Sequence, residues 1–372
     1  MLDEHLGYVA DRTRLEQFRV AIAKALKPDD CVADLGCGSG ILSLLCLQAG
    51  AGRMYSIDST TMIEVARETF SRVGWAERTT FIRGHSHRIE LPERVDMVIC
   101  DHVGYFGFDY GIVHTLQDAR RRFLKPGGTL IPTRIHLQLT AVESEICHGL
   151  AEGWWGEGVP TEFHWLRQYT VNTKHAVNLL PEAVLGTPAE LGEIDLRVDH
   201  PDFFSWTAAL PIERDGVMHG LAGWFNCELA GGVWMSNSPL AERRINRPQA
   251  FFPIDEAVTV RAGDSIKARI MVRPDDNLIA WTVEFPANGR RFSHSTWQGM
   301  LLAPEDLMRS RLERVPRLSR EGEARIAVLG YCDGQRTARE IEQAVLRDHP
   351  NLFPSPEEIS RFMAQVLGRD TE

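Results

Sequence analysis

The stretch CVADLGCGSGILSLLCLQAGAGRMYSID, residues 31–58, decides the fold of the N-terminal part of the chain. CVADLG reads as a short buried strand, GILSLLCLQAG as an apolar helix stopping at Gly50, and RMYSID as a second strand. Gly36, Gly38 and Gly40 occupy the strand-to-helix turn, where bare backbone lets a ligand approach the end of a sheet closely. Asp34 precedes the turn. Asp58 closes the next strand, 18 residues beyond Gly40, where a carboxylate can take both hydroxyls of a ribose.

Reading outward, TMIEVARETFSRVG is an amphipathic helix, TTFIRG and VDMVICD are strands, and VHTLQDARRRFL is helical. KPGG then reads as a turn and TLIP as the start of another strand. This alternation predicts a parallel sheet with helices on both faces, an α/β Rossmann-like arrangement over residues 1–133. From about 134 the period changes to two. LQLTAVES, GLAGWFNCEL, EAVTVRAGDSIKARIMVRP and LIAWTVEF predict an antiparallel β-barrel over 134–303, with Ile266, Ala268, Ile270 and Val272 on one face behind the turn RAGDS. Within it, residues 150–185 are aromatic and interrupted, and read as an arm or interface. From 304 to 372 the pattern is helical. Thr337 and Glu340 have capping-box spacing; so do Ser355 and Glu358, with Ile359, Phe362, Met363 and Val366 forming an apolar stripe.

The chain has 372 residues, enough for more than one core, and a net charge of −10, which argues against general nucleic-acid binding. The arginines at 309, 311, 314, 317 and 320 read as a solvated face for the same reason. Seven cysteines without a C-x-x-C pair fit reduced, cytoplasmic thiols rather than a disulfide framework or a metal site. No apolar run approaches the roughly 20 residues of a membrane span.

The glycine turn follows D-x-G-x-G-x-G rather than G-x-G-x-x-G, and no Lys-Ser or Lys-Thr follows to hold a triphosphate. S-adenosylmethionine, an adenosine with no phosphate, fits it better than a dinucleotide does. These motifs resemble those of class I S-adenosylmethionine-dependent methyltransferases, and within that class the protein arginine methyltransferases. HLGYVADRTR is similar to the segment that closes over the cofactor, which implies that His5 and Arg14 face the methionine carboxylate. GHSHRIELP is similar to the adenine-side loop and places Ser86 and His87 there. The resemblance runs over about residues 1–290. It implies a cofactor set of His5, Arg14, Asp34, Gly36, Gly38, Gly40, Asp58, Ser59, Ser86, His87 and Asp101, and a homodimer formed through the arm.

VICDHVGYFGFDYG, residues 98–111, follows the last of the early strands with an acid, a histidine and spaced aromatics. In the family this loop resembles, two glutamates nine residues apart clamp a guanidinium. Here the first position is Asp101 and the second Tyr110, with Asp109 one residue out of register. The family's Thr-His-Trp loop aligns with Ile245, Asn246 and Arg247, so its histidine is missing. Asp101, His102, Asp109 and Tyr110 are therefore the candidate catalytic residues, with two readings. The acceptor is a nitrogen or oxygen nucleophile other than arginine, or Asp109 slips inward and arginine remains. The tail resembles the helical part of a PqqD-like module, which implies a peptide or protein substrate and a peptide-modifying enzyme. The rival readings are a non-catalytic cofactor-binding scaffold and a small-molecule methyltransferase.

Overall fold

The computed structural model describes residues 2–371 apart from Leu302, Ser310 and Pro354. The chain divides into two compact units, Met1–Met300 and Leu301–Glu372.

The first unit opens with helices α1 (Leu2–Ala10) and α2 (Arg12–Ala25), separated by Asp11, whose side chain caps α2 by accepting from Arg14 N. Then come β1 (Cys31–Leu35), α3 (Ile41–Gln48), β2 (Arg53–Asp58), α4 (Met62–Arg72), β3 (Thr79–Arg83), β4 (Val95–Cys100), α5 (Ile112–Arg122) and β5 (Leu124–Ile131). These five strands form a parallel sheet in the order β3-β2-β1-β4-β5. All five residues of β1 are buried, as expected of a central strand covered on both faces. The strand order reverses between β1 and β4, and in open α/β sheets ligands bind in the crevice beyond the carboxyl ends of the strands at that point. The glycine turn follows β1 and the loop 101–111 follows β4, so the fold brings both motifs to one crevice.

KPGG does not separate a helix from a new strand. It lies inside β5, whose pairing with β4 steps from Val95↔Leu124 to Met97↔Thr129. The extra residues are accommodated as a bulge, so the two glycines interrupt the ladder without ending the strand.

The rest of the first unit is antiparallel: β6 (Arg134–Val142), α6 (Glu145–Glu152), α7 (Arg167–Thr170), β7 (His175–Val177), β8 (Ala189–Asp195), β9 (Phe204–Pro211), β10 (Gly216–Ala230), β11 (Val233–Ser236), β12 (Gln249–Val260), β13 (Ser265–Arg273), β14 (Leu278–Phe285) and β15 (Arg290–Ser295). One sheet runs β7-β12-β10-β6-β8 with β11 paired to β10; the other runs β15-β14-β13-β9. Ile266, Ala268, Ile270 and Val272 are buried on one face of β13, as their alternation requires. The stretch 150–185, read from the sequence as an arm, holds the end of α6, short 3₁₀ turns, α7 and β7; Trp155, Phe163 and Trp165 within it, and Ile146 just before it, are half exposed or more.

The parallel and antiparallel regions share one hydrophobic core and do not separate into two compact domains. Part of the reason is the loop 101–111. Phe106 is fully buried, edge-on to Phe252 of β12. Its ring lies so close to Gly223 of β10 that a Cβ there would stand 2.3 Å from it. Tyr105 O accepts from Asn237 Nδ2 at 2.9 Å, binding the same loop to the chain just after β11.

The second unit comprises α8 (Pro304–Arg309), α9 (Arg320–Gly330), α10 (Ala338–Asp348) and α11 (Pro356–Asp370). The capping box at Thr337 and Glu340 forms, and Val328, Ile341, Val345, Ile359, Met363 and Val366 make its core. Among its described residues there is no strand, so it offers no edge to which an extended leader peptide would pair.

Candidate active site

Two adjoining cavities, of about 340 and 530 Å³, open at the crevice and share Gly36, Asp58, Thr60, His102 and Tyr110. The inner one is completed by α1, α2 and the glycine turn, with His5, Tyr8, Arg14, Gly38, Asp101 and Arg247 in its wall. The outer one takes Ser59, Ser86, His87 and His114.

The glycine turn is closely covered. A Cβ on Gly36 would lie 2.0 Å from His102 Nε2, and one on Gly38 2.5 Å from His5 Cε1; both residues also have positive φ, 70° and 54°. Only glycine meets both demands. Asp58 holds the turn from behind. Its Oδ2 accepts from Gly38 N at 2.8 Å, and its Oδ1 accepts from Thr60 N at 2.8 Å and Thr60 Oγ1 at 2.6 Å.

Asp101 stands at the end of β4 between two buried guanidinia. Arg14 Nε donates to its Oδ2 at 2.6 Å and Arg247 Nη2 donates to the same oxygen at 2.5 Å. Burial pushes the Asp101 carboxyl up, but the two guanidinia outweigh it and hold the group below the usual carboxylate range. Its Oδ1 is buried and has no hydrogen-bond partner among the described residues. Arg14 also donates to Tyr8 O at 3.0 Å, and Arg247 to Gly104 O at 3.3 Å; the two guanidinium carbons lie 5.7 and 5.5 Å from the Tyr8 ring centre. His102 is depressed by burial, against the pull of Asp101 and Asp58, and is neutral near pH 7. Tyr110 is half exposed at the mouth, its hydroxyl pushed up by burial and by Asp109.

Residues 32–128 match the family described as "Methyltransferase domain", and residues 142–284 match the "Arginine methyltransferase oligomerization subdomain". The chain is similar to the protein arginine methyltransferases. It is a methyltransferase whose cofactor is S-adenosylmethionine. It is 28% identical over 279 residues to protein arginine N-methyltransferase 1 of Schizosaccharomyces pombe, an alignment covering 73% of this chain and 82% of that protein. Against protein arginine N-methyltransferase 8-B of Danio rerio it is 28% identical over 281 residues, covering 73% and 67%. Two solved structures share the fold at 21% identity. The PRMT1 enzyme-prozyme heterotetrameric complex of Trypanosoma brucei has a TM-score of 0.70, covering 79% of this chain and 98% of that one. Protein arginine methyltransferase 10 of Arabidopsis thaliana has 0.69, covering 80% and 98%. The two family matches, over residues 32–128 and 142–284, end before the helical tail of this methyltransferase.

Of the residues singled out in the sequence, His5, Arg14, Gly36, Gly38, Asp58, Asp101, His102 and Tyr110 line the inner cavity, and Ser59, Ser86 and His87 the outer. Three do not line either. Asp34 is buried behind the turn, where its Oδ2 accepts from Ser43 N at 3.0 Å and Ser43 Oγ at 2.7 Å; burial lifts its carboxyl to about 7, against those two bonds. It ties β1 to α3. Gly40 faces α4, and a Cβ there would meet Ala66 and Phe70 at 3.0 Å. Asp109 has not slipped inward. Its Oδ2 accepts from Tyr105 N at 2.8 Å and Phe106 N at 2.6 Å, and its Oδ1 pairs with Lys174, both side chains being almost wholly buried. Sequence reading assigned Tyr8, Thr60, His114 and Arg247 no role in the site. Arg247 arrives from a loop 146 residues beyond Asp101, and no local pattern announces that pairing.

Proposed function

We propose that this methyltransferase modifies a side chain of a protein or peptide, with the inner and outer cavities holding the cofactor and the mouth between Tyr8, Tyr110 and Arg247 admitting the acceptor. The observation that carries this reading is the convergence, at one reversal of strand order, of bare glycine backbone, the Asp58 carboxylate and a buried acceptor oxygen, Asp101 Oδ1, with no partner among the described residues. Such an oxygen is costly to bury unless a bound group donates to it. When bound, S-adenosylmethionine supplies an activated methyl group. The chain supplies placement. Asp58 has one lone-pair site left, on Oδ2, for a ribose hydroxyl beyond its three hydrogen bonds to the chain. Arg14 offers a guanidinium to a carboxylate, and His5 and Tyr8 cover the turn and exclude water. A further cavity of about 420 Å³ on the far side of Arg247, between α1, α2 and the barrel loops, gives an extended substrate a place to lie.

A protein substrate is supported by the likeness to protein arginine N-methyltransferases. A homodimer is supported by the match to an oligomerization subdomain and by the exposed aromatics of the arm. The test of the cofactor placement is calorimetric titration with S-adenosylhomocysteine. Asp58→Ala removes a charged acceptor, each such bond being worth about 1.5–3 kcal/mol, so affinity should fall by at least about tenfold. Unchanged affinity would refute the placement.

A further inference from the structure

Arg247 is held unusually well for a loop arginine. It is 8% exposed, its guanidinium lies over Tyr8, and it reaches both Asp101 and the carbonyl of Gly104. We propose that Arg247 is a specificity-determining residue: it occupies, from within the chain, the guanidinium seat on Asp101, so that the acceptor is an uncharged N–H or O–H group. This rests on the reading that the mouth receives the acceptor.

Three observations converge. First, the Asp101 carboxylate already carries two cations. Arg14 and Arg247 both pair with it, and all three side chains are more than nine-tenths buried. An entering guanidinium at Asp101 would be a third buried cation on one carboxylate, and an unpaired buried charge is strongly disfavoured. Second, guanidinium recognition favours both oxygens of a carboxylate in parallel. Asp101 Oδ2 already accepts from two guanidinia, leaving one oxygen. Third, the other buried acids among the described residues of the site are engaged. Asp109 is committed to Lys174 and the loop backbone, and Asp58 accepts three hydrogen bonds from Gly38 and Thr60, its last lone-pair site being the one assigned to the ribose. Glu4 lines the cavity but is exposed, where its charge is screened by water. What remains is Asp101 Oδ1, a single acceptor suited to one N–H or O–H. With its carboxyl held in the ionised form, Asp101 orients that group instead of taking its proton.

The experiment uses the full chain and ethylguanidinium as probe, titrated by calorimetry with and without S-adenosylhomocysteine. Arg247→Ala vacates the seat beside Asp101, so ethylguanidinium should bind at least about tenfold more tightly than to the wild type, the worth of one charge-assisted hydrogen bond. Arg247→Lys, which keeps a cation there, should show no gain. If Arg247→Ala does not fold, Arg247→Gln, uncharged and of similar length, should show the gain instead. In parallel, the wild type is incubated with S-adenosylmethionine and an arginine-glycine peptide, and the peptide should carry no methylarginine by mass spectrometry. Methylarginine from the wild type, or equal ethylguanidinium affinity in wild type and Arg247→Ala, overturns the proposal. Failure to bind S-adenosylhomocysteine would count against the cofactor placement instead, because the titration without it reads the seat independently.

Discussion

Lys174→Met isolates one buried charge. Lys174 precedes β7 and pairs with Asp109, the two side chains being 5% and 2% exposed. The ammonium also lies 4.4 Å from the Tyr105 ring centre and 5.9 Å from that of Phe108. Methionine keeps the apolar stem and removes the cation, leaving Asp109 with its two backbone donors and an uncompensated charge. Breaking a buried pair in this way costs about 3–5 kcal/mol. At an unfolding entropy of about 2.1 cal/mol/K per residue, the unit Met1–Met300 should lose about 5–8 °C in its melting transition. Differential scanning calorimetry reads that shift, and circular dichroism at low temperature confirms the fold. Asp109→Asn added to Lys174→Met removes the stranded charge while keeping an acceptor for Tyr105 N and Phe106 N. The double variant should therefore be more stable than the sum of the single losses by about 0.5–3 kcal/mol. A shift under about 2 °C for Lys174→Met, or strict additivity, would show that the pair is solvated or replaceable and would refute the reasoning.

Two further outcomes are expected. His219 Nδ1 accepts from Ser144 N, the N-cap of α6, at 2.9 Å, and its ring stacks on His148 with Glu143 and Glu145 nearby. Burial and then His148 lower its pKa below 6.5, so the unfolded chain binds the extra proton. Its contribution is intact above pH 6.5 and is lost as pH falls through that lowered value. His87, His102, His175 and His294 act in the same direction, while Asp34, raised to about 7, opposes them. His219→Asn, which accepts without titrating, should melt with less acid sensitivity than the wild type between about pH 7.5 and 5.5; an identical slope would remove His219 from the account. Trp165→Ser combined with Ile146→Glu, at residues 54% and 81% exposed, should convert a dimer to a monomer in sedimentation velocity. An unchanged dimer would move the interface off the arm.

What the sequence disclosed was local. The glycine turn, its flanking acids and the alternation of β13 are each set by neighbours a few residues apart, and the structure has them where their spacing requires. What it concealed was set by distant partners. Asp34 resembles a ligand-binding acid until Ser43 is seen to take its oxygen, and Asp109 a clamp residue until Lys174, 65 residues away, is seen to hold it. KPGG has the chemistry of a turn, and only its pairing to β4 keeps it within a strand. Arg247 departs from the motif of the family that its loop resembles, and its partner Asp101 lies 146 residues away in sequence.

One oxygen of the Asp11 carboxylate caps α2, which carries Arg14, and the other receives Asn246 N from the barrel loop that carries Arg247. The α2 side of the inner cavity and the loop that brings Arg247 to its mouth thus hang from one side chain. If ordering these two favours one ligand, the same order favours the other, and thermodynamic linkage makes the two effects equal. Whatever factor the bound cofactor adds to acceptor affinity, the acceptor must return to the cofactor. The two substrates would then be held as a pair, each slowing the other's escape.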